Sequence, residues 1–233
     1  MTPILFANWL VNLLLHHAHD WDLTPQEAEA TQIYLRSFLK IHALPDRQIQ
    51  RVGGVDVSYR VGRALAAAVV IDYVSLEMIE HSLVETAVSF PYIPGLLSFR
   101  ECPAILAALG ALSDLPDVLL VDGHGMAHPR RFGVACHVGV LLDLPTIGCA
   151  KSLLVGAHGP LGEERGSTSD LMLEGEVAGA ALRTRPGVRP VYISAGHRID
   201  LESAVRIVLA CSRGYRMPQP CRFAHRLAGE GFL

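Results

Sequence analysis

Lysine is almost missing from this chain. Of twenty basic residues only Lys40 and Lys151 are lysines, and arginine supplies the remainder. Nor is there an excess of positive charge, since the formal net charge is -3 over 233 residues. The global basic signature that advertises binding to polyanions is therefore absent, and any grip on phosphate must be local. Cysteine is sparse and oddly placed: Cys102, Cys136, Cys149, Cys211 and Cys221 form no CxxC pair, and an odd count does not suit a disulfide framework or a thiolate zinc site. That usage fits reducing cytoplasm, the expected location. A long hydrophobic run is lacking too. The apolar stretch 4–15 carries Asn8 and Asn12, is too short to span a bilayer and has no positive leader, so it reads as a core segment and no membrane partner is expected. Repeats, low-complexity stretches and long Pro/Gly/Ser linkers are absent, which leaves one domain over 1–233 as the simplest organisation.

What is present is an ordinary globular composition, 50% hydrophobic and 18% charged. Thr24-Pro25-Gln26-Glu27 has capping-box spacing with proline at the first helical position, predicting a helix to about Lys40. A polar connector over 41–51 leads to three successive strand patterns, 52–59, 64–73 and 76–88, which read as a meander. Helical spacing returns over 97–112 and 132–142, alternating with short apolar runs at 117–122 and 145–150 of the kind found in strands buried on both faces. A further strand is expected over 189–196, with Asp200 capping a helix over 201–211. Meander followed by β-α-β alternation predicts an α/β fold with a mixed central sheet, antiparallel and parallel strands together, flanked by helices.

Three acids stand where structure alone explains them poorly. Asp56 interrupts an apolar strand, Glu101 opens a helix, and Asp122 ends a buried strand. A buried carboxylate must be paired or neutralised, and neighbouring strand ends in a mixed sheet bring aspartates together. Such hard oxygen ligands suit Mg²⁺ or Mn²⁺. Each residue also has a plainer explanation. Ser98-Phe99-Arg100-Glu101 is itself a capping box, Asp122 before Gly123 suits a turn, and Asp56 can pair with an arginine.

Other segments offer phosphate and base chemistry. In "DGHGMAHPRRFG" (122–133) glycines let backbone approach a ligand while His124, His128, Arg130 and Arg131 supply donors. Lys151 follows the apolar "TIGCA" as a compact point charge. His225 lies in a tail, 195–233, whose six arginines (198, 206, 213, 216, 222 and 226) outnumber its three acids (200, 202 and 230). In "SFPYIPGLLSFRE" (89–101) two prolines stiffen a loop around Tyr92 just ahead of Glu101.

Taken together, "VGGVDVSY", "PYIPGLLSFRE", "VLLVDGHGMAHPRRFGVACHVGV", "PTIGCAKSLL" and "PQPCRFAH" resemble the signature blocks of the endonuclease V family, in order, over 52–225. The one departure is Cys221, where threonine or another small residue is expected. The resemblance implies an RNase H-like fold and Mg²⁺-dependent hydrolysis, with Mn²⁺ as an alternative ion, of the second phosphodiester 3′ to a deaminated adenine. The products are a 3′-hydroxyl and a 5′-phosphate, and the role is DNA repair. It further implies that Asp56, Glu101 and Asp122 hold metal and that Lys151 and His225 complete the catalytic set. Tyr92 and Ile93 would wedge into the base stack, while Gly95, Leu97, Gly123, Gly125 and His128 would line the slot for the everted base. The partner is DNA containing deoxyinosine, with inosine-containing RNA left open, and a monomer is expected. Two other readings stand beside it: another RNase H-like, structure-specific nuclease of the resolvase type, and a non-catalytic inosine-binding module.

Overall fold

The computed structural model describes residues 13–231. Most of the apolar stretch 4–15 falls outside them; of its described end, Leu13 and Leu15 pack on the core. Helix α1 (Pro25–Arg36) starts as expected, with Thr24 and Glu27 forming a reciprocal capping box, the Thr24 N–H donating to Glu27 at 2.8 Å. It ends about four residues before its pattern does because Ser37 closes it by hydrogen bonds to the last turn.

The meander forms as strands β1 (Arg51–Arg60), β2 (Arg63–Asp72) and β3 (Met78–Ala87). Next come α2 (Leu97–Gly110), β4 (Val118–Val121), α3 (Val134–Leu142) and β5 (Thr146–Ala150). β4 and β5 are buried throughout, which is why their sequence runs without polar alternation.

Three strands then appear where the pattern is weak: β6 (Ala157–His158), β7 (Thr168–Leu173) and β8 (Glu176–Leu182). The Gly and Ala of "EVAGAAL" are poor strand formers, so tertiary pairing with β9 (Val191–His197) rather than propensity makes β8 a strand. Helix α4 (Leu201–Cys211) begins at Asp200, whose side chain accepts from the Ser203 N–H at 2.8 Å. The arginine-rich tail is a helix, α5 (Gln219–Glu230).

Among the described residues nine strands join one sheet in the order β3-β2-β1-β4-β5-β9-β8-β7-β6. β1, β4 and β5 run parallel; every other neighbouring pair is antiparallel. Alternation along β1 divides its side chains between two cores. Val55 and Val57 face the layer containing α2 and α3, whereas Val52 faces the layer containing α4 and α5. Asp56, in phase with Val52, therefore points toward α5. Helix α5 comes close because Gly54 has no side chain: a Cβ there would meet the Pro220 backbone at 2.4 Å. The Ser58 hydroxyl, also in phase with Asp56, donates to the Ala228 carbonyl on α5.

Candidate metal centre and base slot

The parallel register of β1 and β4 aligns Val55 with Val121, so Asp56 and Asp122 leave the two strands side by side. The Asp122 N–H still reaches the Val55 carbonyl at 3.4 Å. Helix α5 then supplies His225, whose Nδ1 lies 2.6 Å from Asp56 Oδ2. One ligand atom from each of Asp56, Asp122 and His225 lies within 4.8 Å of the others. On the far side, Lys151 just beyond β5 sets its Nζ 2.6 Å from Asp122 Oδ2.

Electrostatics show the strain of gathering these acids. Burial raises the pKa of Asp56, and the nearby Asp122 charge adds to it, while His225 and Lys151 pull the other way. Burial alone would lower Lys151, but the hydrogen bond and charge of Asp122 outweigh it, so its pKa is raised and it stays cationic. Glu101, in the second turn of α2, is pushed up to about 8 by burial and then by Asp56 and Asp122, with Arg100 and the Tyr59 hydroxyl opposing. It therefore senses both aspartates, although its oxygens lie outside the tight three-residue cluster. Negative charge gathered in this way is relieved by a divalent cation, and oxygen donors with one imidazole suit a hard ion.

The plainer explanations of Asp56 and Glu101 do not hold. Asp56 pairs with a histidine, not an arginine. Ser98 does not cap a helix: α2 starts from Leu96 without a side-chain cap, and the Ser98 hydroxyl, one residue inside, meets Nδ1 of the buried His137 at 3.0 Å. Glu101 is thus free of the capping duty its spacing suggested.

Beside the acids opens a slot of about 90 Å³ between the 91–96 loop and the 123–134 segment. Tyr92, Gly95, Leu97, Gly123 and His128 line it, as expected, and so do Gln32, Ser98, His124, Gly133 and Leu154. Tyr92 is 68% exposed at its mouth, which leaves its ring face open to a ligand. Ile93 instead turns inward onto the cluster of Phe90, Leu96 and Phe99, which anchors the loop. Gly125 lies behind the slot as a packing residue: a Cβ would meet the Ala195 carbonyl at 2.2 Å, and its N–H donates to Ser194 at 2.8 Å. His128 acts from behind as well, its Nε2 donating to the Gly95 carbonyl at 3.0 Å.

The sequence matches the profile of the endonuclease V family over residues 34–226. The chain belongs to the endonuclease V family. A relative named Endonuclease V from Gloeobacter violaceus is 56% identical over 212 residues, covering 89% of this chain and 86% of that one. The crystal structure of endonuclease V from Streptomyces avermitilis superposes with a TM-score of 0.88 at 44% identity, covering 91% of this chain and 94% of its own. The endonuclease V of Ciona intestinalis, solved in complex with a 24mer DNA containing an inosine followed by a ribo-adenosine, gives a TM-score of 0.77 at 30% identity, covering 89% of this chain and 97% of its own. The chain is accordingly a nuclease of RNase H-like fold. Among the described residues no helix is long and apolar enough to cross a membrane.

Sequence reasoning missed Gln32, Ser98, His124, Gly133 and Leu154 as slot residues. A signal was present for His124 and Gly133, which stand inside the glycine-rich segment 122–133; the other three reach the slot through tertiary packing.

Proposed function

We propose that this endonuclease V everts a deaminated adenine from DNA and hydrolyses the second phosphodiester bond 3′ to it, in the service of DNA repair. The observation that carries the reading is the convergence of Asp56, Asp122 and His225 beside a slot whose mouth holds an exposed tyrosine. Asp56, Asp122 and Glu101 would hold Mg²⁺, or Mn²⁺ in its place; the raised Asp56 and Glu101 carboxyls and the hard donor set fit such an ion. When bound, the ion supplies charge stabilisation at the phosphate and a water of lowered pKa.

The chain's own groups do the rest. Lys151, cationic and held by Asp122, directs positive charge at the phosphate or nucleophile. His225 holds Asp56 through Nδ1, which leaves its exposed Nε2 to pass a proton to or from water. Tyr92 takes the place of the extruded base in the stack, at a cost in unstacking of about a few kcal/mol that its ring contact offsets. The backbone at Gly95, Leu97 and Gly123 reads the base edge, and the products carry a 3′-hydroxyl and a 5′-phosphate. Inosine-containing DNA on the Ciona intestinalis relative supports the substrate class. We further propose that the chain works as a cytoplasmic monomer and that RNA holding inosine enters the same slot, because a flipped base and its phosphates look alike in both polymers.

The test is incubation with end-labelled single- and double-stranded DNA and RNA, each holding one inosine, with and without Mg²⁺. The expected product ends two phosphodiesters 3′ to the inosine and forms only with the ion. Cutting that ignores the position of the inosine, or that persists in chelator, overturns the reading.

A further inference from the structure

The Gly95 carbonyl in the slot loop collects an unusual set of partners. Arg130 Nη2 donates to it at 2.7 Å, His128 Nε2 at 3.0 Å and Gln32 Nε2 at 3.1 Å. The histidine tautomer follows from its other nitrogen, since the Arg130 N–H donates to His128 Nδ1 at 3.2 Å and leaves the proton on Nε2. A carbonyl oxygen has two lone pairs, so three donors saturate it and lock the peptide plane. Gly95 itself adopts φ +81°, a conformation that leaves the loop reliant on outside support.

Gln32 is the hub of this arrangement. It lies on α1, distant in sequence from both slot segments, and is fully buried. Its Nε2 also donates to the Phe132 carbonyl at 3.1 Å, and its Oε1 accepts from Arg130 Nε at 2.6 Å. Phe132 adjoins Gly133 on the opposite wall of the slot from Gly95. One amide thus ties both walls together, and Arg130, steadied by Glu29 at 3.1 Å, braces it. If α1 needed only to be glued to the body, an apolar side chain of similar size would serve without burying an amide.

We propose that Gln32, braced by Arg130, is a positioning residue for base recognition that fixes the slot's width and the orientation of the Gly95–Leu96 peptide. The inference rests on the base-reading function proposed above.

The experiment places 2-aminopurine next to inosine in a DNA duplex and reads its fluorescence on binding in chelator, where no cutting competes. Gln32→Leu and Arg130→Lys are compared with the unaltered chain, alongside KM, kcat and melting temperature. Arg130→Lys keeps the charge but not the fork, so it separates positioning from simple attraction to phosphate. Leaving one buried polar partner unmet should weaken the inosine-dependent signal and raise KM roughly ten-fold in both variants, with kcat little changed. Eversion and KM equal to the unaltered chain in both variants overturn the inference while leaving base reading intact. A uniform loss of kcat on every substrate, tracking a lowered melting temperature, also overturns it, because that is the mark of scaffolding alone. If the unaltered chain shows no inosine-dependent signal, the base-reading function itself falls first.

Discussion

Replacing Asp122 with asparagine should abolish the stabilisation that Mg²⁺ confers on folding, and this tests the metal centre without relying on catalysis. A ligand that binds only the folded state adds stability logarithmically, about 2.7 kcal/mol at one hundred times its dissociation constant. For 233 residues the unfolding entropy is on the order of 0.5 kcal/mol per degree, so saturating Mg²⁺ should raise the melting temperature by about 5 to 6 °C. Two contacts reduce that gain. Lys151 Nζ and His225 Nδ1 each lie 2.6 Å from a carboxylate oxygen and must yield some of their hold as the ion enters. The raised pKa of Asp56 adds a competing proton at low pH. The expected shift is therefore nearer the lower figure at neutral pH and shrinks as the solution is acidified. Thermal unfolding by calorimetry or circular dichroism, with Mg²⁺ titrated against the unaltered chain, Asp56→Asn and Asp122→Asn, reads it directly. An Asp122→Asn variant that gains as many degrees from Mg²⁺ as the unaltered chain would refute the assignment of these carboxylates to the ion.

Two further outcomes follow from exposure and burial. Tyr92→Ala removes an exposed ring, so stability should change by less than about 0.5 kcal/mol; preference for inosine over undamaged DNA should fall more than kcat does, and an equal fall on all substrates would remove the wedge role. His128, its pKa lowered to about 4 by burial and then by Arg130, is neutral when folded yet titrates near 6.5 when unfolded. The unfolded chain binds the extra proton, so this contribution is fully present above pH 6.5 and lost as pH falls toward 4, at most about 1.4 kcal/mol per pH unit for the one group. Denaturant melts across that window should show stability falling with acid, less steeply in His128→Asn.

A second carboxylate is organised in the opposite electrostatic sense. Asp143 loses something to burial, but hydrogen bonds from His197 and Lys40 and the charge of Arg198 hold it well below the usual carboxylate range. The contrast with Asp56 and Glu101 shows how differently this chain treats structural and site acids. Around Asp143 cations gather to satisfy a charge; at the candidate metal centre acids gather, and Lys151 only partly answers them.

The family and the central strands were legible from residue order alone, because those signals are local. A turn rich in glycine after a buried run, a loop stiffened by two prolines and apolar residues at helical or strand spacing each depend on neighbours a few positions apart. The capping of α1 and α4 was legible for the same reason. Strands β6 to β8 were not, since the alanine and glycine of β8 disfavour a strand and these elements exist by pairing, and helix α5 finds its place by packing on β1. The tertiary structure decided which acids meet. Asp56 and Asp122 are neighbours because β1 and β4 run parallel in a register that aligns Val55 with Val121, and His225 joins them because Gly54 lets α5 lie against β1. It also turned Ile93 and Gly125 to packing and brought Gln32 to the slot from the first helix. Strand register and helix docking are settled by contacts between residues far apart in the chain, and no local pattern encodes them.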